Sequence, residues 1–411
     1  MASLQEDVNF LFSPKGMKEQ KKTGDSITIL VISKILSYAL LMNTSDIHVE
    51  PHDEFLMVRF RIDGVLYEVL KIEEYELRNS MVSAILTQAS MFADGSVRKK
   101  PQDGRWSTEI EGERVDARLS TIPVMHGEKL VMRLFRQNKA SFAIGDLGCS
   151  EACGEIYKSF LTNKTGIVFV TGPTGSGKTT TLYAAINHLN NATRAISTLE
   201  DPVEFSFPGV NQSQIDLTAG FDFTSGLRSL LRQDPDIMLV GEIRDVETSE
   251  IAIRASLTGH LVLTTIHTND APTAITRLID MGIAPFLLSA TASLIINQRL
   301  VRKVCTQCKA PTNLPDVLPP ELEPLRSTDI WLFKPQGCEA CANTGYLGRS
   351  PVFEFLKTSD TMSKLILQKA STGEIREQAI RDGMVTLVQD GMRLLKEEKT
   401  TLEEILSLVI T

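Results

Sequence analysis

The chain is poor in the residues that bring some functions with them. Of 411 residues only six are cysteine, two tryptophan and six tyrosine. So few cysteines in so long a chain exclude a small disulfide-stapled scaffold, and the length points instead to two or three domains that each bury their own core. An excess of positive charge is also missing: 43 Lys and Arg stand against 51 Asp and Glu, for a net charge of -8. Wide nucleic-acid contact needs dense cations to displace counterions, and single-strand binding needs them interleaved with aromatic platforms. Neither pattern is present, which leaves room only for a local basic patch. The start, "MASLQEDVNFLF", carries acidic residues and no basic stretch followed by an apolar core, so no secretory signal is read and the expected location is the cytoplasm. The longest uncharged run, residues 281–298 ("MGIAPFLLSATASLIINQ"), is diluted too far by glycine, proline, hydroxyl and amide side chains for a membrane span. It is read as a buried helix, and any membrane role as one that comes through partners.

What is present falls into an order. Residues 1–24, with the Lys-rich piece "KGMKEQKKTG", read as a flexible lead-in. From Ser26, "SITILVISKILSYALLM" sets Ile29, Ile32, Leu36, Ala39 and Leu40 at helical spacing, the mark of a core helix. "DIHVEP" and "FLMVRFRIDGVLYEVL" read as strands, the latter a hairpin turning at Asp63-Gly64. A helix over 75–92, a turn at "PQDGR" and strands through "WSTEIEGERVDARLSTI" and "EKLVMRLF" complete an α/β domain over 25–138. Residues 139–150 read as a linker. Over 151–304 the short runs "GIVFV", "AISTL", "IMLVG" and "LVLTTI" alternate with helical stretches, the signature of a parallel sheet covered by helices. Four cysteines fall in a Pro-rich loop region over 305–345, and 346–411 is an amphipathic helical region.

The stretch "GIVFVTGPTGSGKTTTLYAAI" contains G-x-x-x-x-G-K-T from Gly172 to Thr179, after an apolar strand and at the start of a helix. That is the context a phosphate-binding loop requires. Gly172, Gly175 and Gly177, with Pro173, Thr174 and Ser176 between them, let the backbone wrap with its N–H groups inward, and the helix adds its positive end. Lys178 reaches the terminal phosphates, Thr179 holds Mg²⁺, and Thr180 follows in the same first turn. ATP is the expected nucleotide, although the loop by itself does not exclude GTP. Hydrolysis also calls for carboxylates that organise Mg²⁺ and position water. "AISTLEDPVEF" offers Glu200, with Asp201 and Glu204 beyond it, and "DPDIMLVGEIRD" offers Glu242. Both follow expected parallel strands, at the edge where open sheets present active groups. Glu200 and Glu242 are expected to share the two roles, and the residues leave open which takes which. "LTGHLVLTTIHTND" adds His260 and His267 on either side of a strand. A histidine there is more often structural; His267, at the C-terminal end, has the better claim as a contact to the terminal phosphate.

Taken in order, "GPTGSGKTTTLY", "EDPVEF", "LLRQDPDIMLVGEIRD", "RASLTGHLVLTTIHTND" and "NQRLVRKVC" closely resemble the bacterial secretion ATPases of type II secretion and type IV pilus assembly, with their Walker A motif, Asp box, atypical Walker B and His box. "SDIHVEP", "VRFRIDGVL", "PQDGR" and "HGEKLVMRL" match the domain that precedes the motor core there. The resemblance covers 25–411 and implies a PAS-like α/β domain followed by a RecA-like core. It also implies a cytoplasmic homo-hexamer at the face of the inner membrane, where ATP hydrolysis moves a platform protein and drives pseudopilus or pilus assembly. By the same resemblance Arg105 and Arg118 complete the nucleotide site, a role suited to guanidinium groups that stabilise charge on a transferring phosphoryl group. Arg232 and Arg244 lie near the nucleotide by motif, while Arg59 and Arg61 serve folding or a subunit interface. Members of this branch usually carry a further N-terminal domain, and only residues 1–24 precede the shared region here. Two other classes fit less well. A nucleic-acid translocase on the same core is opposed by the missing basic and aromatic cluster, and a nucleotide-dependent scaffold is opposed by the intact Lys178, Glu200 and Glu242.

Cys305, Cys308, Cys338 and Cys341 read C-x₂-C-x₂₉-C-x₂-C, four thiolates able to make the closed tetrahedral shell that structural Zn²⁺ prefers. In a reducing cytoplasm a disulfide is the weaker option, and neither pair opens a helix after a strand as a redox motif does. The spacing is longer than that of the commonest zinc ribbons but matches the resembled family, in which such an insertion goes with export and assembly motors and is typically lacking from retraction motors. The metal is expected to clamp a loop excursion onto the motor core and to offer the platform a docking surface. Cys149 and Cys153 fall outside the pattern and read as an ordinary free pair.

Overall fold

Period-two alternation builds the first part of the molecule. The structure, a computed structural model, describes residues 2–12, 26–91, 100–110, 112–136, 142–328 and 330–409. It divides into two units, residues 1–140 with 336–347 and residues 141–335 with 348–411. In the first, helices α1 (Ala2–Leu11) and α2 (Ile27–Leu41) precede strands β1 (Asp46–Pro51), β2 (Leu56–Ile62) and β3 (Val65–Ile72). Helix α3 (Tyr75–Gln88) and strands β4 (Gln102–Ile110), β5 (Glu113–Val124) and β6 (Gly127–Arg136) follow. The strands form one sheet, β3-β2-β1-β6-β5-β4, antiparallel throughout. Along β2, Leu56, Val58, Phe60 and Ile62 are buried while Met57, Arg59 and Arg61 are less so, giving one face to the core. That face packs with α2 and α3 around Ile32, Leu36, Ile47, Phe60, Leu77 and Met132. At the β2–β3 turn Asp63 and Gly64 both have positive φ, 49° and 90°, as the two-residue hairpin requires.

Three expectations change here. Residues 2–11, read as part of a flexible lead-in, form α1, because Leu4 and Val8 lie one turn apart and both enter the same core. The Lys-rich piece lies outside the described residues. The apolar stripe of α2 is centred on Ile32, Leu36 and Ala39, joined by Val31 and Ile35, while Ile29 and Leu40 are only half-buried. "PQDGR", read as a turn, opens β4 instead, with Gly104 opposite Leu119. The glycine serves packing rather than turning: a Cβ there would collide with the Met91 side chain.

The rest of the chain runs α4 (Glu151–Leu161), β7 (Gly166–Thr171), α5 (Lys178–Leu189), β8 (Ile196–Glu200), β9 (Asn211–Gln214), α6 (Phe223–Leu230), β10 (Ile237–Val240), α7 (Val246–Leu257) and β11 (Leu261–Ile266). It continues through α8 (Ala271–Asp280), α9 (Pro285–Thr291), β12 (Ala292–Val304), β13 (Ala310–Thr312), β14 (Leu332–Lys334) and β15 (Tyr346–Lys357). Four helices close it: α10 (Asp360–Leu367), α11 (Thr372–Arg381), α12 (Leu387–Lys396) and α13 (Leu402–Val409). The main sheet is ordered β15-β12-β7-β11-β10-β8-β9, and the six strands from β12 to β9 are parallel. Every residue of β7, β10 and β11 is buried. In β7, Ile167 and Phe169 join the core formed with α7, α8 and α9, whereas Val168 and Val170 join the core formed with α4 and α5. Both faces are covered, so the strand reads as a continuous apolar run.

The uncharged run at 281–298 is not one helix. Only Pro285–Thr291 is helical, and from Ala292 the chain enters β12, where Leu294 and Ile295 lie beside Val168 and Phe169 in the middle of the sheet. The linker expected at 139–150 is also packed from Phe142 onward. The Phe142 ring lies 4.9 Å from that of Phe205 and 5.3 Å from that of Phe207, and Ile144 and Leu147 are buried. Among the described residues, no helix is long and apolar enough to cross a membrane.

Candidate active site

The C-terminal ends of β7, β11, β10 and β8 gather most of the expected residues on one edge of the parallel sheet. After β7 the chain turns through Gly172, Pro173, Thr174, Gly175, Ser176 and Gly177 into α5, with Gly172, Gly175 and Gly177 at φ of 140°, 78° and 90°. A Cβ on Gly172 would collide with Gln298 O, and one on Gly177 would stand 2.7 Å from Gln298 Nε2. The loop lies so close against β12 that only glycine fits. Gln298 Oε1 also accepts from Thr181 Oγ1 at 2.6 Å, tying β12 to α5. Lys178 Nζ donates to the carbonyls of Gly172 (2.9 Å) and Pro173 (3.0 Å). Burial pulls the Lys178 pKa below the ordinary lysine value, Glu242 works against that shift and Arg299 adds to it. Thr179 and Thr180 occupy the first turn of α5. Ser176 Oγ is buried and has no hydrogen-bond partner among the described residues. A buried hydroxyl, a glycine-wrapped backbone and the positive end of a helix together fit the phosphates of a nucleotide.

The two carboxylates sit in different surroundings. Glu242 lies two residues beyond β10; Arg244 approaches its Oε1 at 2.6 Å and His267 Nε2 its Oε2 at 3.6 Å. Glu242, Arg244, His267 and Lys178 therefore form one electrostatic group. Glu200, the last residue of β8, is 3% exposed. Its Oε1 accepts from Thr198 Oγ1 (2.5 Å) and Gln212 Nε2 (3.1 Å), and its Oε2 accepts from the Tyr183 hydroxyl. Tyr183 in turn accepts from Glu204 N at 3.1 Å. His260 stands at the opposite end of β11 from His267 and donates from Nδ1 to Ala255 O (2.9 Å), closing the end of α7. Arg232 is turned back onto Arg228 O and Ser229 Oγ at the end of α6.

In the first unit, Arg105 and Arg118 are register partners on β4 and β5. Arg105 is exposed, and the Arg118 guanidinium lies 5.7 Å from the Phe135 ring. Arg59 pairs with Glu50 at 2.6 Å, and Arg61 lies 3.7 Å from Asp46 and donates to Gly64 O at 2.9 Å. Sequence reasoning missed the residues that hold the loop from behind: Gln298, Thr181, and the pair Thr171 and Thr268, whose hydroxyls are 2.7 Å apart. The available signal was a polar residue closing an apolar strand, as in "GIVFVT" and "LIINQ".

The sulfurs of Cys305, Cys308, Cys338 and Cys341 all lie within 4.8 Å of one another. Cys338 Sγ and Cys341 Sγ are 3.7 Å apart, close to the ~3.8 Å edge of a tetrahedron with Zn–S bonds of ~2.3 Å. Cys341 Sγ accepts from the N–H groups of Cys338 and Gly345, both at 3.2 Å, contacts that favour a thiolate. The donor set and its spacing fit a structural metal site. Cys149 and Cys153 belong to another place: burial, with Cys153 nearby, pushes the Cys149 thiol up to about 11, and burial raises Cys153 as well.

A glycine-wrapped loop between a central parallel strand and a helix, with carboxylates on neighbouring strand ends, defines a P-loop nucleotide-binding protein. The chain belongs to the type II/IV secretion system protein family, whose model matches residues 21–407. Over 389 residues it is 43% identical to the type IV pilus assembly ATPase PilB of Myxococcus xanthus, covering 94% of this chain and 68% of that one. It is also 43% identical over 387 residues to the type II secretion system protein E of Aeromonas hydrophila, covering 93% and 75%. Among solved structures, the Legionella pneumophila ATPase DotB superposes with a TM-score of 0.69 at 21% identity, over 93% of this chain and 95% of that one, which establishes a shared fold. The architecture is thus an α/β domain of the PAS-like kind, a RecA-like parallel-sheet core with a four-cysteine cluster, and a helical C-terminus.

Proposed function

We propose that this chain is a cytoplasmic motor ATPase that works as a homo-hexamer and hydrolyses ATP to power pseudopilus or type IV pilus assembly through an inner-membrane platform protein. The observation that carries this reading is the grouping of Lys178, Glu242 and His267 at one edge of the parallel sheet, in a chain whose relatives are named for both systems. In it, Lys178 and the loop N–H groups hold the terminal phosphates, and His267 contacts the γ-phosphate side. Thr179 and Glu242 would hold Mg²⁺, which neutralises phosphate oxygens when bound. Glu200, fixed by Tyr183, Thr198 and Gln212, positions the attacking water, and Arg105 and Arg118 stabilise charge on the transferring group. Cys305, Cys308, Cys338 and Cys341 would hold Zn²⁺, whose part is structural, and the cluster supports an assembly rather than a retraction motor. Membrane association comes through the platform.

The test is ATP turnover of the full chain with and without the cytoplasmic part of a platform protein. Stimulation by that domain, lost in Lys178→Ala and Glu242→Gln, is the expected result. Stimulation by single-stranded DNA and not by the platform would favour a nucleic-acid translocase instead.

A further inference from the structure

Glu354, on β15, is 2% exposed and belongs to none of the motifs described above. Its Oε1 accepts from the backbone N–H of Ala271 at 2.8 Å, the first residue of α8. One buried side chain therefore caps the positive end of α8, and burial raises its pKa above the ordinary glutamate value. The link to α12 comes from the neighbouring residue of β15: Phe353 N donates to Asp390 Oδ2 of α12 at 2.9 Å.

Upstream of α8 lies the short segment that starts at His267, and it is tied along its length. Thr268 N donates to Thr171 Oγ1 (2.9 Å) beside the phosphate loop. Asn269 O accepts from Asn297 Nδ2 (2.9 Å), and Asp270 Oδ2 accepts from Arg376 of α11 (2.6 Å). Ala271 ends the segment on Glu354. We propose that Glu354 is a positioning residue for hydrolysis, which fixes the His267–Ala271 segment against the phosphate loop and couples it to α12 through β15 and the adjoining Phe353–Asp390 bond. This rests on the placing of His267 at the γ-phosphate side.

The test uses the full chain carrying Glu354→Gln and, separately, Arg376→Met, a half-exposed contact of the same segment whose loss leaves the buried core intact. ATP turnover and amide hydrogen exchange are measured on each. Glu354→Gln is expected to lower kcat about tenfold or more with KM for ATP changed less than about twofold, the pattern of a lost transition-state interaction. Arg376→Met should lower kcat about threefold. Amides 268–271 and 387–391 should exchange faster together in Glu354→Gln, while those of the phosphate loop stay protected. A folded Glu354→Gln protein with kcat within about twofold of the parent overturns the proposal, as does faster exchange at 387–391 alone. If Glu354→Gln does not fold, Arg376→Met decides: unchanged kcat and unchanged exchange at 268–271 overturn it. His267→Ala separates the two readings, because normal turnover there sinks the placing of His267, whereas the paired exchange reports the Glu354 link regardless of catalysis.

Discussion

In the first unit, β2 turns arginines to one side and Leu56, Val58, Phe60 and Ile62 to the other; in the second, β7 buries all six of its residues. The antiparallel sheet keeps a face free for charge, and that face is filled with pairs: Arg59 and Lys129 on Glu50 at 2.6 and 2.8 Å, Arg133 on Asp46 at 2.9 Å. The parallel sheet has no such face. Along β7, β8, β10 and β11 the charged groups lie only at or beyond the strand ends, and there Glu200, Glu242 and His267 collect beside Thr171. Charge on a sheet face holds strands in register, while charge on a sheet edge is available for chemistry.

The sharpest way to break this contrast is at the edge. Lys178→Ala and Glu242→Gln should each lower ATP turnover by about a thousandfold or more, yet leave the thermal midpoint within about 2 °C, since neither side chain enters a core. Turnover within tenfold of the parent would show that the edge is not where the reaction happens. Next in size is the first unit's own core. Phe60, fully buried, belongs to the core of that unit, so Phe60→Ala should cost about 3–5 kcal/mol. Urea unfolding should show the loss in one transition, with binding of a non-hydrolysable ATP analogue by the second unit retained. A parallel loss of nucleotide affinity would mean that the two cores do not act separately.

The sheet face gives a smaller, pH-dependent effect. Burial works to raise the Glu50 carboxyl, but Arg59 and Lys129 outweigh it and hold the group at about 2 instead of its ordinary 4.5. A carboxylate depressed in the folded state contributes stability that is fully present above pH 4.5 and fades as pH falls toward 2. Glu50→Gln should flatten the stability curve within that window and hardly change it at pH 7 to 8 in slope. An unchanged acid limb in the variant would remove Glu50 from the account.

The same contrast explains what was legible in the sequence. The β2–β3 hairpin showed itself because alternation and an Asp-Gly turn are local signals, and the phosphate loop because its glycines and lysine are contiguous. The places of Glu200, Glu242 and His267 at strand ends were legible for the same reason, each being read with the strand before it. Legibility failed where a distant neighbour decides. Gly104 looked like a turn residue because Met91 is not in view, and α1 looked like a loose lead-in because its partners lie in α2 and β3. From Ala292 the run at 281–298 is strand rather than helix because β12 is completed by β7, more than a hundred residues earlier. Glu354 carries no motif; its meaning comes from the start of α8 that the fold brings to it.

The smallest expected effect sharpens the comparison from inside the second unit. Tyr157 of α4 is fully buried, and its hydroxyl donates to Thr181 O of α5 at 3.0 Å. This hydroxyl is paired, as most buried polar groups are, and burial drives its pKa well above the ordinary tyrosine range. Tyr157→Phe removes the donor but leaves the Thr181 carbonyl within helix α5, where the next turn supplies an N–H, so no acceptor is stranded. The cost should therefore sit near the low end for a hydrogen bond, about 1 kcal/mol, with turnover unchanged within about twofold. A loss several times larger would show that α4 positions α5, and with it Lys178, through this one bond, and would move Tyr157 from the core to the machinery of the loop.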